Sequence, residues 1–111
     1  MKIAVSSTGP TLDHLVGLHF RHCGYLLLID PQTMQYEAIV NPIIALRGPA
    51  AGILFRQLLA QESITALLTG NCEAAVFKTL APAGIHVIAG ICGTVRRVVE
   101  RFNAHELLVA S

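Results

Sequence analysis

Five side chains able to ligate a metal crowd into the stretch from Leu12 to Asp30: Asp13, His14, His19, His22 and Cys23. Neutral imidazole and thiolate suit the softer transition metals. The segment has neither helical nor strand periodicity, so it reads as a long loop. It delivers its donors straight into the apolar run Tyr25-Leu-Leu-Leu-Ile29. The spacing matches no closed zinc motif that pairs Cys-x2-Cys with His-x3-His. A solvated surface loop gathers the same polar residues, so a structural reading stands beside the metal-binding one.

A second set of soft donors comes from a short internal echo. Ile64-Thr-Ala-Leu-Leu-Thr-Gly70-Asn71-Cys72 and Ile85-His-Val-Ile-Ala-Gly90-Ile91-Cys92 both run strand, Gly-x-Cys, helix. Each cysteine then stands at the C-terminal edge of a parallel strand, the edge where open α/β sheets bind ligands. A helix start favours anions and thiolates, which would make such a cysteine more acidic than usual. Cysteine is equally at home as a small buried hydrophobe, and that use of Cys72 and Cys92 stays open.

The elements that position these donors follow from the pattern of apolar residues. Lys2–Ser6 alternates into a first strand, and Ser7-Thr8-Gly9-Pro10 is turn chemistry that opens the donor-rich loop. Tyr25–Ile29 is a second strand. After a tight turn at Asp30-Pro31-Gln32-Thr33, Met34–Val40 returns as a third, ended by Asn41-Pro42. Gly48-Pro49 starts a helix whose Ala51, Leu54, Phe55 and Leu58 share a face. Ile64–Leu68 is a strand, a helix runs from about Cys72 to Leu80, and Ile85–Ala89 is the last strand. A final helix buries Val95, Val98, Val99 and Phe102 and shows Arg96, Arg97, Glu100 and Arg101 to water. The order β-β-β-α-β-α-β-α predicts an α/β fold: a mixed sheet, parallel in its second half and covered by three helices.

Composition bounds the function. A chain of 111 residues is expected to form one domain, residues 1–111, with a single core. No apolar run approaches the ~20 residues that span a bilayer, and Met1-Lys-Ile-Ala-Val reads as strand rather than signal peptide. A cytoplasmic protein without a membrane partner is the expectation. The net charge of +1 argues against nucleic acid, which usually leaves a basic stripe. Three cysteines, an odd number, read as thiols in that compartment.

Taken together, these residues resemble the dinitrogenase iron–molybdenum cofactor biosynthesis family. The resemblance spans nearly the whole chain. It is carried by Met1-Lys-Ile-Ala-Val, His19-Phe20, Tyr25-Leu-Leu-Leu-Ile-Asp30, Asn41-Pro42, Gly70-Asn71, Ala83-Gly84-Ile85, Gly93-Thr94-Val95 and Phe102-Asn-Ala-His-Glu106-Leu107. It implies a ribonuclease H-like fold with a five-stranded mixed sheet and three helices. It also implies a metal–sulfur cluster held in a cleft between the 8–24 loop and the helix starts after Gly70 and Gly90. One branch, the orange proteins of sulfate-reducing bacteria, holds a molybdenum–copper sulfide cluster non-covalently, and the size of this chain suits that branch. The chain departs from the family where His-Phe is usually followed by Gly-Arg: here Arg21, His22 and Cys23 follow Phe20.

The expected site therefore comprises Ser7, Thr8, His19, Phe20, Arg21, His22, Cys23, Gly70, Asn71, Cys72, Gly90, Ile91, Cys92, Gly93 and Thr94. His19, His22, Cys23, Cys72 and Cys92 are the metal-ligand candidates within it. The cargo would be an anionic molybdenum-containing sulfide cluster, Mo–Cu or Fe–Mo, with further proteins to load or regulate it. Such a carrier needs no proton transfer and no nucleophile, so it is not expected to be an enzyme. Against a nuclease stands the lack of an acidic residue in the first strand, since two-metal chemistry needs clustered carboxylates. Against a thiol oxidoreductase stands the lack of Cys-x-x-Cys. The alternative is a regulatory module that docks a protein partner through the Arg96, Arg97 and Arg101 face, a face that also suits simple solvation.

Overall fold

A computed structural model describes residues 2–41, 49–72 and 74–106. Pro42, Gly48 and the tail from Leu107 lie outside them, as do the side chains of Arg21, Ala51 and Leu54. The strands are β1 (Lys2–Ser7), β2 (Tyr25–Ile29), β3 (Tyr36–Val40), β4 (Ile64–Leu68) and β5 (His86–Ile88). The helices are α1 (Pro49–Gln61), α2 (Ala74–Leu80) and α3 (Val95–Asn103). The sheet order is β3-β2-β1-β4-β5. β2 pairs antiparallel with β1 and β3, whereas β4 runs parallel to β1 and β5. This is the mixed sheet that the element order predicts.

Central strands buried on both faces should read as continuous apolar runs; β2 does so throughout, while β1 and β4 do so over Ile3-Ala-Val5 and Ala66-Leu-Leu68. Ala4, Leu26, Leu28 and Leu67 point to one face, where Phe55 and Leu59 of α1 and Val76 and Leu80 of α2 cover them. Ile3, Val5, Leu27, Ile29 and Leu68 point to the other, beneath Val95, Val98 and Val99 of α3. A register shift sets Lys2 against Ile64 but Ile3 against Ala66. The extra residue, Thr65, is exposed, and the bulge explains why Ile64 and Ala66 face opposite layers.

Several boundaries differ from the sequence pattern: β1 runs one residue further, to Ser7, β5 starts at His86 rather than Ile85, α2 starts at Ala74 rather than about Cys72, and two larger differences have a visible cause. β3 begins at Tyr36 rather than Met34. Asp30 Oδ1 accepts from the Gln32 and Thr33 amides, and Met34 takes a left-handed φ of 63° with its N–H on the Asp30 carbonyl. That side-chain-supported turn consumes residues an alternating pattern assigns to the strand. β5 ends at Ile88, because Gly90 takes φ 76° and its N–H turns back onto the Gly70 carbonyl.

Candidate functional site

Three connections leave the sheet at one edge, the C-terminal ends of the parallel strands β1, β4 and β5. The loop after β1 spans residues 8–24 and folds back across the other two. Main-chain bonds tie it to the β4 exit: Gly70 N to Gly17 O at 3.1 Å, Asn71 N to Leu18 O at 2.7 Å, and Phe20 N to Asn71 O at 2.9 Å. Others tie it to the β5 exit: Val16 N to Gly93 O, Val95 N to His14 O and Arg96 N to Leu12 O, all between 2.8 and 2.9 Å. Leu12 and Val16 drop into the α3 layer while Phe20 enters the α1–α2 layer. The loop is thus anchored in both cores. It lacks periodicity because its path follows two strand exits more than 45 residues away, not a helix or strand of its own.

The metal-ligand candidates divide sharply. His19 caps and His22 ends a single 3-10 turn, Phe20–His22; both imidazoles are exposed, with ring centroids 5.9 Å apart. Cys92 is exposed beyond β5, and Cys72 is half-buried against the α1–α2 core. Cys23 is buried, its thiol donating to the Phe20 carbonyl at 3.2 Å while the Asn41 side-chain amide donates to its sulfur at 3.2 Å. Asp13 pairs with Arg96 at 3.1 Å, and His14 Nδ1 meets the Thr11 amide and hydroxyl, so these two hold the loop's own turns. Among the described residues, no three His, Cys, Asp or Glu side chains converge as one metal centre.

The rest of the expected site has mixed placement. Ser7 is buried and bonded to Gly9 in both directions, and Thr8 is exposed. Phe20 packs edge-on against Phe55, centroids 4.9 Å apart. Thr94 caps α3 by accepting the Arg97 amide, while loop carbonyls take the Val95 and Arg96 amides. The first turn of α3 is therefore satisfied internally. The preceding amides of Cys92, Gly93 and Thr94 make no hydrogen bond with the described residues. Gly90 is exposed and Ile91 half-buried. On the arginine face, Arg96 has its Asp13 partner and Arg101 lies 3.9 Å from Glu106, so two of the three charges are offset.

Asn41 is the residue whose weight a reading of the chain understates. Fully buried, its Nδ2 donates to Phe20 O, Cys23 O and Cys23 Sγ, closing the turn that carries the two imidazoles. In the sequence Asn41 stands before a proline at the end of a strand, which reads equally well as a stop, and within a dipeptide that carries the family resemblance. Beneath the loop, Ser6 Oγ donates to Thr69 Oγ1 at 2.7 Å, joining β1 to the β4 exit inside the core.

Burial pushes the Cys23 thiol above its ordinary value of 9.0, with hydrogen bonds from Asn41 and Ser6 opposing the rise. The unfolded chain then loses this proton at lower pH than the folded one. Stability from this group is full below 9.0 and falls as pH climbs from there towards the raised folded value. Comparing unfolding of wild type and Cys23→Ala between pH 8 and 11, in steps of about one unit, should show the steeper alkaline decline in wild type. A thiol reagent at neutral pH should label Cys92 first, Cys72 more slowly and Cys23 only on unfolding. Equal labelling of all three would contradict the burial order.

A family model described as dinitrogenase iron-molybdenum cofactor matches residues 1–105. The apo form of the orange protein from Desulfovibrio gigas is similar over 99% of this chain and 92% of its own, at 35% identity and a TM-score of 0.87. A NifB-like protein from Thermotoga is similar over 97% of this chain and 91% of its own, at 25% identity and a TM-score of 0.77. A dinitrogenase-like protein from Methanocaldococcus jannaschii, at 20% identity and a TM-score of 0.71, covers 100% of this chain with 95% of its own and shares the fold. No curated protein sequence matches significantly. With a family match that runs from β1 past the end of α3, the chain belongs to the dinitrogenase iron-molybdenum cofactor family.

Proposed function

We propose that the chain is a small carrier for an anionic, molybdenum-containing metal–sulfur cluster, of Mo–Cu or Fe–Mo type. The cluster would lie between the 8–24 loop and the connections after Gly70 and Gly90. The observation that carries this reading is the gathering at one sheet edge of exposed soft donors and unspent amides. His19, His22 and Cys92 are exposed there, and the Cys92, Gly93 and Thr94 N–H groups make no hydrogen bond with the described residues. Successive free N–H groups favour a negatively charged ligand. The α2 and α3 helices after β4 and β5 pack on opposite faces of the sheet, which opens a crevice of the kind α/β sheets use for ligands.

Family membership and the likeness to the orange protein support a cofactor-binding or carrier role. Within it, His19, His22, Cys72 and Cys92 are candidates for direct contact with metal or sulfide, and Arg21 for charge compensation. Cys23 would act by holding the turn from below. Binding of this kind requires no catalysis. The strand order, with β2 alone reversed between β1 and β3, supports a ribonuclease H-like assignment of the fold. Three thiols suit a reducing cytoplasm, and no helix among the described residues is long and apolar enough to cross a membrane. Loading and unloading of such a cluster would involve further proteins.

The test is metal analysis and visible absorption of protein purified without oxygen from its native host, followed by reconstitution of apo-protein with tetrathiomolybdate and copper or iron. Stoichiometric molybdenum with charge-transfer bands is the expected result, and Cys92→Ser should weaken or shift those bands. Protein that is colourless from the host and takes up nothing on reconstitution would end the carrier reading.

A further inference from the structure

The His19–His22 pair has a geometry of its own. His19 is the extended N-cap of the Phe20–His22 turn, and the His22 amide donates to the His19 carbonyl at 3.0 Å, which closes the backbone between the two rings. A transition metal sits about 2 Å from an imidazole nitrogen and so about 3 Å from the ring centre. Two rings sharing one ion then have centres about 5 Å apart at a tetrahedral angle and about 6 Å apart at a linear one. The observed separation is 5.9 Å. Neither ring makes a hydrogen bond with another described residue, so none of those residues occupies a ring nitrogen.

The support under the pair is rigid. The Phe20 ring is 1% exposed and packed edge-on against Phe55. The Phe20 amide is bonded to Asn71, the Phe20 carbonyl accepts from Cys23 and Asn41, and the Cys23 carbonyl accepts from Asn41. A chelating pair whose backbone is already fixed loses little freedom on binding. The donor set also defines the ion. Two imidazoles, with no third His, Cys, Asp or Glu converging on them among the described residues, suit a late first-row transition metal rather than magnesium or calcium.

We propose that His19 and His22 form a two-histidine site for a single late first-row transition-metal ion, which binds without any sulfide or molybdenum. Among divalent ions, affinity should follow the order in which imidazole sites rank them, with copper tightest, nickel next among those probed and zinc comparable or weaker. Cysteine thiolate is not among the ligands.

The experiment is calorimetric titration of untagged, reduced apo-protein with Zn(II) and Ni(II), ions that leave the thiols unoxidised. Long-range imidazole 15N spectra of the same samples follow the rings. One ion per chain is expected, with the His19 and His22 ring nitrogens shifting together. His19→Gln and His22→Gln should each weaken binding by at least about tenfold, while their thermal unfolding stays at the wild-type value because both side chains are exposed. Unchanged affinity in either variant overturns the proposal, as does binding abolished by Cys92→Ser with both histidines intact. No thiomolybdate is present in this titration, so its failure leaves the cluster-carrier reading untouched. Failure of cluster reconstitution likewise leaves the two-histidine site standing.

Discussion

Replacing Phe20 by alanine is expected to destabilise the protein by about 3–5 kcal/mol, the range for removing a fully buried aromatic side chain. For a chain of this size that corresponds to a fall in thermal midpoint of roughly 15 °C. Phe20 lies in a loop, where most substitutions are tolerated, yet its ring sits among Ala4, Leu26, Phe55 and Leu67 in the α1–α2 layer. The edge-to-face pair with Phe55 should add a coupling of about 0.5–1.5 kcal/mol, measurable as non-additivity when Phe55→Ala is combined with Phe20→Ala. The loss should reach beyond stability. Phe20 stands between the two imidazoles in sequence, and its carbonyl is the acceptor for Cys23 and Asn41. Without the ring, the turn loses its anchor, and both metal uptake and cluster uptake should fall together. A midpoint within about 3 °C of wild type, equivalent to under 1 kcal/mol, would show that the loop is not held through this ring.

The order of elements was legible because burial on two faces leaves a plain trace in β1, β2 and β4, as does the one-sided stripe Val95, Val98, Val99 in α3. Boundaries were less so where a side chain or a left-handed residue diverts the backbone, as Asp30 and Met34 do before β3. The site was legible in composition but not in orientation. His19, His22 and Cys23 fall within five consecutive residues, yet one turn of 3-10 helix sends the two rings outward and the sulfur inward. Nothing local decides that. The choice is made by Phe20 and Asn41, whose partners come from α1 and from the end of β3. In the same way, a helix start after Gly90 looks like a free anion site in sequence. The loop that spends the Val95 and Arg96 amides, through His14 and Leu12, comes from far earlier in the chain, and only tertiary structure brings it there.

Those long-range main-chain bonds make Gly70 the most sensitive backbone position at this edge. A Cβ there would be driven into the carbonyl oxygens of Gly17 and Leu18, the two acceptors that receive the Gly70 and Asn71 amides. Neither can yield without breaking its bond, since both obstacles are backbone rather than the end of a flexible side chain. Gly70→Ala should therefore forfeit the three bonds joining residues 17–20 to 70–71, at about 1 kcal/mol each, for a total near 3 kcal/mol. Gly84 offers the contrast. It adopts φ 77° with open space where a Cβ would go, so Gly84→Ala meets only left-handed strain of about 1–2 kcal/mol and leaves the loop undisturbed. Amide hydrogen exchange separates the two. Gly70→Ala should strip protection selectively from Phe20, Gly70 and Asn71 while the central amides of β1 and β2 keep theirs, and Gly84→Ala should change all of them alike. Protection at Phe20 and Asn71 equal to wild type in Gly70→Ala would mean that the loop docks by some other route, and the site built on that docking would have to be abandoned with it.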